Sequence, residues 1–557
     1  MLRRLTLAMA VCVTACAPED SPPEAVESEV LGQREQAAEP LETPSEANAI
    51  RFLEQSTFGP KLAWGASPLP IDTVESVMAR GISASITAQL NAARSTYTGE
   101  LGAPDLGSQF FTHAIEGRDQ LRQRVSFALS QLFVVSQNGI PNPASTPESE
   151  PRLAMAGYLN TLSANAFGNF RDLLEAITLN PAMGTYLDMA NNKAYLANGT
   201  AVAPNENYAR EMLQLFTLGL HKLNEDGTER TDAEGAPIPA YTEAHVQAFA
   251  HALSGWTYAN ENGCPERGRS NPASYGQRMI GCNVNHDSSS QRLLRGQRTT
   301  AGGGVKAHLN EALDNVFADP NLPPFICKQL IQHLVTSNPR PGYVRRVVNV
   351  FKDNGSGVRG DLGAVVRAIL EDDDARGPSV LPGQRANYGH LRSPALFVTT
   401  LVRWLNGTLD TAGGTKDPGA KLNNWSSAMG QSVPRPPSVF SYYPPNAPAP
   451  GGNGLLGPEF AILDTATVTA RANFVHELLY ANTPANAGVM VDVSVLPADA
   501  SALVVWLGRY WLHASMSSSL QTLVHGAITD ARAGDSARQR KLAVYLTSLS
   551  PEFQIQR

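Results

Sequence analysis

The strongest constraint on the fold is an apolar spacing of three and four residues that keeps returning. In DQLRQRVSFALSQLFVVS (119–136), Leu121, Val125, Leu129, Leu132 and Val135 fall on one helical face. GNFRDLLEAITLNPAMGTYLD (168–188) repeats the pattern and predicts a helix that stops near Pro181. TEAHVQAFAHALSGW starts on the N-cap residue Thr242 and ends at Gly255. PPFICKQLIQHLVTSN opens with proline in the first turn, GDLGAVVRAILEDDDAR starts at Asp361, and RQRKLAVYLTSLSPEFQIQR keeps helical spacing. Strand signals are sparse. The best is residues 221–243, where Asp226-Gly227 suits a tight hairpin turn. SVPRPPSVFSYYPPNAPAPGG (432–452) is too proline-rich for a helix and favours extended backbone. The predicted fold is mainly α: a multi-helix globular body with a small β-hairpin insertion and Pro-rich extended segments.

At 557 residues the chain exceeds one typical core. The division expected is a main helical domain over 49–385, with loop insertions near 221–243 and 258–306, and a C-terminal helical part over 386–557 packed on it. The net charge of -7 is unevenly placed. Residues 17–48 carry nine acids against Arg34, so the rest is close to neutral. That excludes a general nucleic-acid binder, which needs a basic face. The acidic, Pro-rich stretch within 16–48 has too few apolar residues to fold and reads as a disordered tether. Before it, Arg3 and Arg4 precede a short apolar run, Leu5 to Val13, and Val13-Thr14-Ala15-Cys16 resembles a bacterial lipobox. By that resemblance 1–15 is a signal peptide and Cys16 is lipidated, giving a membrane-lipid partner. Ala17, rather than Asp, favours the outer membrane. An ordinary secretory signal is the competing reading.

Export suits the cysteines. Cys264 and Cys282 flank a polar loop that an oxidising compartment lets close as a disulfide; two free thiols is the alternative. No second close Cys or His pair completes a zinc set. Cys327 lies in an apolar helical pattern and reads as a buried small hydrophobe.

NENYAREMLQLFTLG (205–219) concentrates polar chemistry. Wound as an α-helix, Glu206, Asn207, Arg210, Glu211, Gln214 and Thr217 share an arc of roughly 140°, with Leu218 the one apolar intruder. Glu206 and Glu211 sit at opposite edges, so they do not form a carboxylate dyad. Glu206 faces Arg210 at i,i+4, Asn205 is a natural N-cap and Gly219 a natural stop. A capped amphipathic helix explains most of this. The mixture of amides, guanidinium and acids without lysine also suits a polar wall. The expectation is a cleft lined by Glu206, Asn207 and Trp256, with Glu211 and Arg210 aimed into it.

NENYAREMLQLFTLG followed by YTEAHVQAFAHALSGW resembles the bacterial family catalogued as domain of unknown function 1800. Supporting blocks run in order: RFLEQSTFGP near 51, LRQRVSFALSQLFVVS near 121, NHDSSSQRLLRG near 285, PPFICKQLIQHLVTSNP near 323, GDLGAVVRAIL near 360, RPPSVF near 435 and SPEFQIQR at the end. The resemblance covers roughly residues 49–557. It implies an exported, large, mainly helical protein and no established reaction. It also implies a protein partner from the sulfatase-like family of unknown function 1501, whose genes often lie beside those of this family. The chain departs from the family pattern at His245, where an acid is usual, at His251, where an arginine is usual, and after His286-Asp287, where SSSQRLLRG carries no lysine.

His286 and Asp287 are the remaining chemical candidates, as a metal ligand or general base, although neighbours in sequence rarely orient each other. His245 and His251 are six apart and off a common helical face, so they are read as structural. No G-x-S-x-G, phosphate loop or HExxH occurs, and no metal site is expected. The functional expectation is an envelope lipoprotein acting with an exported partner as scaffold or substrate-handling subunit. The alternative is an extracytoplasmic hydrolase or other enzyme with a polar helical cleft, using Glu211 and Arg210, with His286 or Asp287 assisting. The cofactor is left open by the sequence.

Overall fold

Helix formation follows the apolar spacing. The computed structural model describes residues 44–557 except 380–386, 410–417, 453, 482–487 and 532–534. Over these residues the chain is mainly helical, with three two-stranded sheets. The expected signal peptide, Cys16 and the tether as far as residue 43 lie outside the described residues. The first helix, α1 (Glu46–Ser56), starts inside the stretch read as tether, because Ser45 caps it by accepting from Asn48 N at 3.2 Å.

Helix α2 (Gln120–Leu132) buries Leu121, Val125, Leu129 and Leu132 as predicted; Val135 is buried beyond its end. The helix Phe170–Thr178 stops before Pro181, which opens the next helix, Pro181–Tyr186, where its missing N–H is not needed. The helices used below follow in order: α3 (Asn207–Glu211), α4 (Glu243–Ala252), α5 (Val305–Phe317), α6 (Leu322–Leu334), α7 (Pro394–Trp404), α8 (Ala500–Trp511) and α9 (Ser518–Thr529). Cys327 is fully buried in α6, and burial pushes its thiol pKa up.

The strands pair antiparallel in short ladders: β1 (Trp256–Thr257) with β2 (Ile280–Gly281), β3 (His390–Leu391) with β6 (Ile555–Gln556), and β4 (Thr408–Leu409) with β5 (Val489–Met490). Helical spacing at the C-terminus therefore runs out before residues 555–556, which join a strand instead. Residues 221–243 fold back twice rather than once. Asn224 N bonds Thr228 O at 2.8 Å across the predicted Asp226-Gly227 turn. Asp232 Oδ1 then accepts from Glu234 N and Ala236 N and makes a second turn, so Lys222 N reaches Ile238 O at 2.7 Å. Residues 432–452 contain no helix, and Tyr442 and Tyr443 are buried.

One contiguous apolar core runs from Ala49 to Phe553. The parts before and after residue 386 share it. Glu54 of α1 pairs with Arg392 and stands 3.0 Å from His513, all three buried.

Candidate functional site

Asn205 caps the motif helix as expected, its Oδ1 accepting from Asn207 N at 2.8 Å, and Gly219 stops it at φ 75°. Between them the winding changes. After α3 the chain widens into a π-helix, Met212–Thr217, with Leu218 N bonded to Leu213 O and Thr217 Oγ1 to Met212 O at 2.6 Å. The wide turn swings Thr217 and Leu218 into the core, both fully buried, so the even arc drawn from α-helical spacing breaks at Met212.

Arg210 is not aimed into a cleft. Its Nη2 binds Glu206 at 2.9 Å and Glu243 of α4 at 2.7 Å, while Nη1 donates to the other Glu243 oxygen at 2.9 Å. These bonds, that to Glu243 foremost, raise the guanidinium pKa. Asn207 Nδ2 donates to Asp188 at 3.2 Å. Trp256 is a core residue, 5% exposed, rather than a cleft wall. Glu211 differs from its neighbours. Its Oε2 is buried with no hydrogen-bond partner among the described residues. Burial raises its pKa against the lowering pull of Arg210, and Tyr186 and Tyr241 both feel its charge.

His286 and Asp287 point apart. His286 is buried, with Nδ1 2.8 Å from Ser254 O and Nε2 2.9 Å from His308 Nδ1 of α5. Burial lowers its pKa. Asp287 turns the other way, and its Oδ2 lies 2.6 Å from His251 Nδ1. Burial opposes the Asp287 charge, but bonds from Ser289 and His251 outweigh it and hold the carboxyl below its ordinary range. His251, read from sequence as structural, is thus the imidazole that Asp287 orients. The two meet because Gly255, at φ 90°, ends the turn after α4 with no side chain: a Cβ there would lie 2.8 Å from the His286 Cβ. The Cys264–Cys282 disulfide closes just before this segment.

His251 lines an open cavity of about 560 Å³ between α4 and residues 290–298. Its Nε2 takes no protein partner among the described residues. The facing wall is a small hairpin absent from the sequence reading. Leu293 N bonds Gln297 O at 2.8 Å and Thr299 N bonds Gln291 O at 3.0 Å, which sets Arg292 directly opposite Arg298. Asn315 of α5 holds the tip by bonding both Leu294 N and Leu294 O at 3.1 Å. Arg298 is braced by Ser290, through Nε to Oγ at 3.1 Å and Nη2 to the carbonyl at 2.9 Å. His245, inside the Thr242 capping box of α4, lines the same cavity from the other side, and burial followed by Arg292 lowers its pKa.

A family profile described as "Protein of unknown function (DUF1800)" matches residues 51–555. The chain belongs to the DUF1800 family. No curated protein and no solved structure matches it. The DUF1800 region takes in both the 205–219 motif and the cavity, and the structure sets them on different sides of α4. Glu243, in its first turn, holds Arg210, whereas His245 and His251 face the hairpin. Neither Glu206, Arg210 nor Glu211 lines the cavity, and of the sequence candidates only Asp287 reaches it, through His251. Among the described residues of this DUF1800 chain, no group of three His, Cys, Asp or Glu could hold a metal ion, and no helix is long and apolar enough to cross a membrane. The missed pair, Arg292 and Arg298, had a legible trace in RLLRGQR, where a glycine sits between two arginines six apart.

Proposed function

We propose that this protein handles an extracytoplasmic substrate by acid–base chemistry in the cavity beside α4. It would do so from the envelope, tethered through a lipid on Cys16 with the outer membrane as its address. The observation that carries the reading is the 2.6 Å contact between His251 Nδ1 and Asp287. With Nδ1–H donated to the carboxylate, the free Nε2 is the basic nitrogen, on a residue that lines the cavity. Asp287 is the positioning residue, fixed in turn by Ser289 N at 2.9 Å and Gln291 Nε2 at 3.2 Å. Ser290 is not a nucleophile, because its Oγ donates to Thr299 O at 2.7 Å. On this reading the species that His251 activates is a water molecule, and the reaction class is hydrolysis. The test is hydrolysis of a panel of chromogenic carboxylate, phosphate and sulfate esters by the purified chain. His251→Gln and Asp287→Asn are each expected to cut turnover by about 100-fold. His251→Arg keeps a partner for Asp287 and removes the base, so it should fold normally and be inactive. Hydrolysis that survives His251→Arg, or no hydrolysis across the panel, overturns the reading.

A second reading makes the chain a scaffold or substrate-handling subunit beside an exported partner of the sulfatase-like family. It is favoured by apolar side chains on the surface of two packed helices: Val505 on α8 is 68% exposed and Leu523 on α9 51%. Its test is assembly of the two purified proteins, with Val505→Lys and Leu523→Lys expected to abolish it.

A further inference from the structure

The cavity has a sign. None of the ten residues lining it is acidic, while two are arginines and two are histidines. Neither Arg292 nor Arg298 has a carboxylate partner among the described residues, whereas Arg171, Arg210, Arg295, Arg340 and Arg346 are each ion-paired. Of the carboxylates close to the wall, Asp287 is engaged by His251, Ser289 and Gln291, and Glu311 by the backbone and hydroxyl of Thr300.

The backbone fixes the two arginines against each other. The bonds from Thr299 N to Gln291 O and from Leu293 N to Gln297 O bracket Arg292 and Arg298, so the two form a pair with no hydrogen bond of its own. In such a pair the Cα atoms stand about 4.5 Å apart and both side chains leave on one face. Like charges placed so repel each other. A hairpin relaxes such repulsion by twisting or slipping, but this one is held at its tip by Asn315 and by the ion pair of Arg295 with Asp319. Ser290 takes Nε and Nη2 of Arg298 and leaves its Nη1 without a protein partner among the described residues. Two arginines on one face of a cross-strand pair, neither ion-paired to a carboxylate among the described residues, supply an oxyanion clamp, since the fork of N–H donors matches paired oxygens.

The geometry points to a substrate that carries a phosphate, sulfate or carboxylate group, held between Arg292 and Arg298 with its scissile bond toward His251. This inference rests on the acid–base reading of the same cavity and adds the substrate's charge class. The volume of about 560 Å³ suits a small-molecule unit or one residue of a polymer rather than a protein domain.

Calorimetric titration of the purified full-length chain with sodium phosphate, sodium sulfate and sodium acetate, each at constant ionic strength, tests the clamp directly and separates tetrahedral from planar anions. Saturable one-to-one binding of at least one of the three is expected. The double variant Arg292→Gln, Arg298→Gln should weaken it by about tenfold or more, and His251→Gln should leave it within about twofold. Because both arginines are exposed and bear no fold contact beyond Ser290, the double variant should melt with the parent. No saturable binding of any probe, or equal binding by the double variant, overturns the inference. Arginine-dependent binding without hydrolysis of any ester retains the clamp and refutes the acid–base reading alone. Hydrolysis lost in His251→Arg, yet indifferent to the arginines and to added anion, does the reverse.

Discussion

Glu54 offers the sharpest test of how the two halves of the chain are joined. It is fully buried in α1, paired with Arg392 just after β3 and 3.0 Å from His513 beyond α8. Burial alone would raise its pKa, but the charges of Arg392 and His513 and their hydrogen bonds bring it from 4.5 down to about 2. That depression corresponds to stability on the order of a few kcal/mol. The folded pKa is depressed, so this stability is fully present above about pH 4.5 and is lost as pH falls towards about 2. His513 adds to the trend: burial lowers its pKa too, so the unfolded chain takes up that proton first as pH drops below the ordinary histidine range. Glu54→Gln keeps the shape and removes the charge, leaving the buried Arg392 guanidinium without its carboxylate, a loss of about 3–5 kcal/mol. Melting followed by circular dichroism and calorimetry from pH 7 to pH 2.5 reads the effect. The variant should be much less stable at pH 7, and the gap should close as the parent's carboxylate protonates. A variant within about 0.5 kcal/mol of the parent at pH 7, or a gap that does not change with pH, would refute the reasoning.

Two further outcomes follow from other sites. Cys264→Ser should lower stability by about 3 kcal/mol, since the bridge closes residues 18 apart; hydrogen exchange should show the loosening concentrated at 258–287, and loosening spread evenly over the body would count against it. Glu211→Gln should raise the melting temperature slightly, and more at pH 8 than at pH 5, because a carboxyl whose folded pKa is raised costs stability as pH rises through the unfolded value; a lower melting temperature at pH 8 would show that the charge has a partner.

The helices were legible because burial repeats along one stripe, and Leu121, Val125 and Leu129 lie where that stripe put them. Local caps were legible for the same reason: Asn205, Thr242 and Asp361 act within three residues of themselves. What could not be read depends on distant partners. His251 gains its role from Asp287, 36 residues away, and a helical wheel has no way to show that contact. The inward aim assigned to Arg210 failed because Glu243, 33 residues on, captures the guanidinium. The π turn escaped because one extra residue per turn leaves no mark on apolar spacing until the register has already shifted.

That wide turn also bears on how the motif tolerates changes in length. A π turn joins its two ends with one residue more than an α turn would use. Residues 212–217 therefore hold spare chain. Loss of one residue there can be absorbed by tightening to α geometry, with Arg210 still on Glu243 and Gly219 still at the stop. The same loss within 207–211 has no slack to draw on, and it rotates Arg210 away from its partner by about 100°. Within fifteen residues, then, the motif joins a stretch that can be shortened to one whose spacing is fixed.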